Sequence, residues 1–462
     1  MSFDSIFFLC CFLPLTLGLY YLVPGSRWKQ SLLLVMGLVF YAFGSLTGVV
    51  LLLLAVGFNY LVGLALQKAQ HRKAILIFGV SVNLLYLAVF KYLNFLFTQM
   101  LGLPAVELGL AAPLGMSFFL FKSISYLIDT YRDTQTGTKN LFRFSLYLSF
   151  FSQVTAGPIT RFAQFAWEPQ NANLQAVAEG LRRFVVGLAK KALICTVLGP
   201  VVDAIFALNQ VDIRLAWLGA LAYMLQIYFD FSGYSDMAIG LGKMLGYGTP
   251  ENFRFPYQAY SIGDFWRRWH ISLSSWFRDY LYIPLGGNRK GNLRAAWNKV
   301  VVFTLCGLWH GASWTFLLWG LWHGLFSALE SLRLIRPDRL QKSKPGKLVA
   351  HIYTLLVVCL GFVMFRAGSV QQGLDMIGAM FAGFCFRDAG TVLLYQLCNW
   401  ETIVVLVIGC VLALPVKQYA ENWKVFRRAG EPLSYLVCLL LLLLCLLKLA
   451  AGGFAPFIYA QF

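Results

Sequence analysis

The chain has 462 residues, 59% of them hydrophobic and 13% charged, with a mean hydropathy of +0.67. Those proportions exclude an ordinary soluble protein. The formal charge of +18 does not imply nucleic acid, because the basic residues fall in short loops between apolar runs and not on one soluble face.

Hydropathy and chain breakers place membrane segments near 5–23, 30–46, 48–66, 74–98, 111–131, 141–157, 180–206, 214–246, 300–330, 347–365, 401–416 and 433–451. The first begins at Phe7 with no basic stretch ahead of it and ends at Pro24-Gly25, where a signal peptide would have a small-residue cleavage site. It reads as a retained membrane segment. The basic loops carry Arg27 and Lys29; Lys68, Arg72 and Lys73; Arg289, Lys290, Arg294 and Lys299; Arg333 to Lys347; and Lys417, Lys424, Arg427 and Arg428. Cytosolic placement of these loops puts the N-terminus outside.

That scheme strains past Arg132. The loops at Arg289–Lys299 and Arg333–Lys347 flank one apolar stretch of about thirty residues, and both are cytosolic only if that stretch dips in and returns. Gly307, Gly311 and Gly320 permit such a break. Residues 253–283 interleave arginines, tryptophans and acids, as suits a helix in the interface or along a polar channel. On a continuous helix Asp264 and Arg268 would pair, and Trp266 and His270 would share a face.

Two of the five histidines stand out. His310 lies within Gly-Leu-Trp-His-Gly, in a run that reads as membrane-embedded, and His270 follows Arg267-Arg268-Trp269. A polar ring in lipid is expensive and points to a bundle interior, a wet cavity or a substrate path; packing between helices is the plainer alternative. The pentapeptide recurs at 320–324, and the offset of thirteen residues turns about 220° on a continuous helix, so His323 would not share a face with His310. His323, His71 and His351 read as packing or loop residues. The ten cysteines form no CxxC or Cys/His metal spacing, so neither a disulfide framework nor a metal site follows.

An ordered set of motifs across most of the chain resembles the membrane-bound O-acyltransferase (MBOAT) family, in its bacterial alginate O-acetyltransferase-type branch. The set begins with the N-terminal elements Phe12-Leu13-Pro14-Leu15-Thr16 and Phe40-Tyr41-Ala42-Phe43-Gly44 and runs through Pro113–Phe119, Ser125–Arg132 and Ala156-Gly157-Pro158-Ile159 to Asp230–Asp236. It continues with Phe253–Tyr257, Phe265–Ser274, Tyr282–Arg289 and Gly307–Trp314. The resemblance implies an all-α, polytopic integral membrane protein. It would form one domain over 1–462, a multi-helix bundle with a central tunnel and re-entrant or interfacial helices. The implied activity is transfer of an acyl group from a thioester to a hydroxyl, with the family's essential histidine matching His310 and its second characteristic histidine matching His270.

Acyl transfer needs a base, a stabilised oxyanion and a held thioester. His310 is the candidate base, and His270 a group to orient the donor, stabilise the oxyanion or share the proton. Arg267, Arg268, Arg289 and Lys290 are candidates for the donor's phosphates, although lipid headgroups explain the same charges equally well. Trp269, Ser274, Asn288, Trp309 and Ser313 complete the supporting set from the matched motifs. Asp230 and Asp236, in apolar surroundings, are expected to orient a histidine or pair with an arginine. Lys122 and Asp129, seven apart, suit a polar path.

The expected co-substrate is an acyl thioester, acetyl-CoA or a phosphopantetheine carrier, with no bound cofactor. Expected partners are membrane lipid and an extracytoplasmic SGNH-like acyltransferase or small membrane acceptor protein, in a bacterial cytoplasmic membrane. Three rivals stand beside this reading: a proton-coupled transporter or flippase using the buried Asp and His groups, D-alanyl transfer to teichoic acid, and an inactive membrane scaffold for a polymer-modifying complex.

Overall fold

The computed structural model describes residues 1–106, 112–165, 167, 169, 172–416, 424–452 and 458. Among them every regular element is helical. Five helices are long and apolar enough to cross a membrane, Leu46–Lys68, Arg72–Met100, Leu174–Phe206, Lys344–Arg366 and Pro432–Ala450; a sixth span is counted if the bent pair Asp388–Leu397 and Trp400–Leu412 is taken as one. Lys417, at the head of the last basic loop, lies outside the described residues.

The chain forms two compact units, Met1–Gly187 with Tyr234–Glu251, and Leu188–Gly233 with Asn252–Ile458. The first contains α1 (Leu13–Leu22), α2 (Ser26–Ala42), α3 (Leu46–Lys68), α4 (Arg72–Phe95), α5 (Met116–Arg132), α6 (Leu141–Ser149) and most of α7 (Leu174–Ala189). Ser45 caps α3 by accepting the N–H of Gly48. Leucine-rich faces leave α3 and α4 little to specify their register, and a reciprocal amide pair supplies it: Asn59 and Asn83, both buried, exchange hydrogen bonds of 3.1 and 2.8 Å.

The segment expected over 141–157 is helical only to Ser149. Phe150 to Thr160 are buried without regular structure. The backbone there is satisfied locally, with Gln153 and Val154 N–H donating to the Phe150 carbonyl at 2.9 and 3.0 Å. Lys122 is buried, and its ammonium donates to the Tyr147 carbonyl and to Gln153 Oε1. Lys122 thus pins the buried turn, while Asp129, on the same helix, sits 3.8 Å from Arg132.

The second unit holds α8 (Thr196–Phe206), the first two-thirds of α9 (Ile213–Met244), α10 (Ile262–Arg268), α11 (Ile271–Phe277), α12 (Gly291–His310), α13 (Trp314–Ser331), α14 (Pro337–Leu340) and α15 (Lys344–Arg366). It continues with α16 (Val370–Ala382), α17 (Asp388–Leu397), α18 (Trp400–Leu412) and α19 (Lys424–Ala450). The hydropathy reading placed no segment over α16 and α17, which fall between its segments at 347–365 and 401–416.

The stretch over 300–330 is a helical hairpin. The α12 arm ends at His310, Gly311 is extended, and Ser313 caps α13 by accepting the Thr315 N–H at 3.2 Å. The arms run antiparallel in close contact: a Cβ on Gly320 would meet the Phe303 carbonyl and lie 3.2 Å from the Gly307 Cα, and one on Gly324 would lie 3.0 Å from the Val300 Cα. Only glycine permits that approach. The hairpin returns the chain to the side it left, which puts both basic loops at one end, as the charge pattern requires.

Candidate active site

Three short elements of the second unit bring the two singled-out histidines into one buried cluster. α10 stops at Arg268, and His270 adopts a left-handed conformation (φ 43°, ψ 54°) before α11 begins. That backbone is uncommon for a residue with a Cβ and turns the imidazole away from the α10 face. The predicted Asp264–Arg268 pair forms, at 3.1 Å. The predicted shared face of Trp266 and His270 does not, because the helix ends between them.

His270 is 1% exposed. Its Nδ1 lies 3.2 Å from Asn252 Oδ1, which also accepts the backbone N–H of Ser272 at 3.2 Å and its hydroxyl at 2.9 Å. An oxygen already accepting two protons leaves Nδ1–H as the donor, so Nε2 is the basic nitrogen. Phe231 stands edge-on to the ring at 4.5 Å between centroids. Burial lowers the pKa of His270 to about 3. Neighbouring arginines are not the cause, since Arg267 and Arg268 both turn toward Asp264.

His310 is 3% exposed and closes α12. Trp309, Trp319 and Phe365 surround its ring with centroids at 4.9, 5.0 and 5.1 Å, and Phe316 follows at 6.4 Å. Trp309 connects the two sites, its ring 6.4 Å from that of His270. The hairpin also corrects the helical-wheel reading of the repeated pentapeptide. His310 and His323 lie on different arms and both pack on Trp319, the latter at 5.1 Å. His323 is fully buried and its Nδ1 accepts the Trp266 indole N–H at 3.4 Å.

Beside this cluster a cavity of about 280 Å³ opens between α10, α11 and α12. Arg267, Arg278 and Lys299 line it with Ile271, Ser274 and Cys306. Cys306 is four residues before His310 on one face of α12, and Ile271 adjoins His270; neither imidazole itself lines the cavity. Of the four cations proposed for phosphates only Arg267 lines this space. Arg268 is held by Asp264 and the Arg254 carbonyl, and Arg289 and Lys290 are exposed in the turn before α12.

The other candidates, apart from Ser274 in the cavity wall, are placed elsewhere. Trp269 is core, stacked on Phe265 and against Phe253 and Phe362. Ser274 donates to the Trp269 carbonyl at 3.2 Å. Asn288 accepts the Tyr282 hydroxyl in an exposed turn. Ser313 is a helix cap. Asp230 pairs with a lysine: Lys191 Nζ is 2.8 Å away, both side chains are at most 2% exposed, and the Ile458 N–H donates to the other oxygen at 2.7 Å. Asp236 does pair with an arginine, Arg183, at 2.8 Å within the first unit, where Arg183 also holds Glu251.

Sequence reading missed two residues. Asn252 stands just before the Phe253–Tyr257 motif and shows its role only once α10 folds back. Glu330, near the end of α13, accepts the N–H groups of Ile262 and Gly263 at 2.7 and 3.0 Å. A carboxylate at a helix N-terminus is favourably placed. Glu330 fastens the element leading to His270 onto the hairpin that carries His310.

Comparison with known proteins decides the family. The model of the membrane-bound O-acyltransferase family, MBOAT, matches residues 33–371. The chain belongs to the MBOAT family. This MBOAT protein is 40% identical, over the full length of both chains, to a protein of Azotobacter vinelandii named probable alginate O-acetylase AlgI. It is 43% identical to the Pseudomonas aeruginosa protein of the same name, over 83% of this chain and 75% of that one. A peptidoglycan O-acetyltransferase of Helicobacter pylori is 34% identical over 82% of this chain and 80% of its own. The MBOAT protein described here is a polytopic membrane O-acyltransferase.

Proposed function

We propose that this enzyme takes an acetyl or similarly short acyl group from a cytosolic thioester. It delivers that group across a bacterial cytoplasmic membrane for O-acylation of an extracytoplasmic polysaccharide or cell-envelope polymer. The names of the relatives, two alginate O-acetylases and a peptidoglycan O-acetyltransferase, support the polymer. The observation that carries the chemistry is the meeting of His270 and His310, forty residues apart, on either side of Trp309 in a site closed to bulk water.

In this reading the donor's slender pantetheine arm lies in the 280 Å³ cavity, with its phosphates toward Arg267, Arg278 and Lys299. The thioester carbonyl then faces the aromatic cage. A hydroxyl on the acceptor gives its proton to the neutral His310 as its oxygen attacks the carbonyl carbon, the carbon–sulfur bond breaks, and the thiol leaves protonated. His270, neutral and oriented by Asn252, steadies the developing oxyanion or shares the proton. The acceptor is a hydroxyl of a membrane or extracytoplasmic partner, an SGNH-like transferase or a small acceptor protein, which passes the acyl group to the polymer.

The test is transfer of labelled acetyl from acetyl-CoA or an acetylated carrier by the purified protein in liposomes with its partner. His310→Ala is expected to lower transfer by about 10²–10⁴. Undiminished transfer by the folded variant removes His310 from the mechanism. Proton-coupled solute uptake without any acyl donor would favour the transporter instead.

A further inference from the structure

A second cavity of the second unit lies away from the histidines. It measures about 1040 Å³ and is bounded by the turn from α8 to α9, the start of α16, and α17. α15 starts beside the basic loop and reaches this cavity at its other end, Arg366; its 23 residues rise about 34 Å, enough to cross a bilayer. With the basic loops in the cytosol, the cavity faces the outside.

The cavity is built, not a gap between loose helices. The Phe206 carbonyl accepts Gln372 Nε2, Ile213 N–H donates to the Gly383 carbonyl at 2.8 Å, and Arg214 donates to Thr391 Oγ1 at 3.0 Å. Its lining mixes polar and apolar groups. Asn209, Gln210 and Arg387 line it, all three exposed, and their side chains have no hydrogen-bond partner among the described residues. Leu374 and Met376 give it apolar wall. A lipid tail would ask for an unbroken apolar surface, and a small ion would not need such space. Amide and guanidinium groups beside aliphatic surface match vicinal hydroxyls and the C–H faces of sugar rings, and the volume admits more than one ring.

We propose that this outward cavity binds a segment of glycan. The proposal rests on the reading above that the acyl group is destined for an extracytoplasmic polymer, and gives the membrane chain its own hold on that polymer. Arg387 would take a carboxylate where the glycan is acidic.

The experiment uses the full-length protein in nanodiscs with a uronic-acid hexasaccharide and a neutral glucan hexasaccharide, read by saturation-transfer NMR and by titration. A Cβ on Gly378, which lines the cavity, meets nothing within 4 Å, so the indole of Gly378→Trp starts out into open space and obstructs the cavity. The wild type is expected to bind one or both glycans. Gly378→Trp, and separately the exposed pair Asn209→Ala with Gln210→Ala, are expected to weaken binding at least about tenfold. Thioester-dependent transfer to a small soluble acceptor stays at the wild-type level. Binding of neither glycan, binding undiminished in both variants, or a phospholipid that the glycan does not displace overturns the proposal. Transfer without glycan binding defeats this inference alone, whereas glycan binding without transfer defeats the functional reading alone.

Discussion

Asn252 Oδ1 stands 3.2 Å from Nδ1 of His270 and 2.9 Å from the Ser272 hydroxyl, so a single amide oxygen sets both the tautomer and the tilt of the imidazole. Asn252→Ala is expected to lower turnover by about tenfold to a hundredfold, by analogy with the loss of a partner that orients a metal-bound imidazole. Donor KM should change little. Steady-state kinetics with labelled thioester measure the split, and normal turnover in the folded variant sinks the role.

The pKa of His270, lowered to about 3 by burial, has a sign that stability measurements read directly. The unfolded chain takes up a proton below about pH 6.5 and the folded chain does not. The stability this neutral ring contributes is therefore complete above about pH 6.5 and is lost as pH falls toward 3, by at most about 1.4 kcal/mol per pH unit. Thermal unfolding in detergent at pH 7.5 and 5.0 should show a smaller drop for His270→Gln than for the wild type.

Lys191 and Asp230 form an ion pair with almost no exposure. Removing one partner, as in Lys191→Ala, should cost about 3–5 kcal/mol, whereas Lys191→Met with Asp230→Leu should recover most of the loss. Unfolding midpoints of the two single variants and the double one decide it. A double variant no better than its parents would show the pair does more than neutralise itself.

Glu330 receives two backbone N–H groups of α10. Glu330→Ala leaves those donors unmet, for a loss of about 1–3 kcal/mol. Glu330→Gln, which keeps an accepting oxygen, should retain most of the stability. Thermal shift of both variants provides the comparison.

The hairpin depends on Gly307 and Gly320, where the arms meet backbone to backbone. Gly320→Ala places a methyl against the Phe303 carbonyl and should destabilise by about 1–3 kcal/mol while displacing His310. Loss of both expression and acyl transfer is expected; a variant as stable and active as the parent would show that the arms part easily.

What the sequence made legible was local or counted. Asp264 and Arg268 pair because four residues on a helix suffice. The hairpin was readable from charge, since two basic loops cannot straddle one crossing. What failed needed partners remote in the chain. Trp266 and His270 part because α10 ends at Arg268 against the Asn252–Arg254 strand of backbone, where Arg254 N–H meets the Arg268 carbonyl and Ile271 N–H meets that of Asn252. Phe150 to Gly157 are as apolar as a span, yet Gln153 and Lys122 hold them as a buried turn. Asn252 and Glu330 carry no motif of their own; their oxygens matter only once α10 arrives.

The winding of the helix at Lys190–Cys195 has a consequence of its own. That six-residue stretch is a π-turn, wider by one residue than its flanks. Deleting a single residue there would close the bulge into a plain α-turn and shift Lys191, which sits in it, away from Asp230. Chain length at this spot is thus as constrained as chemistry, and related sequences should tolerate exchange of side chains here more readily than a gap.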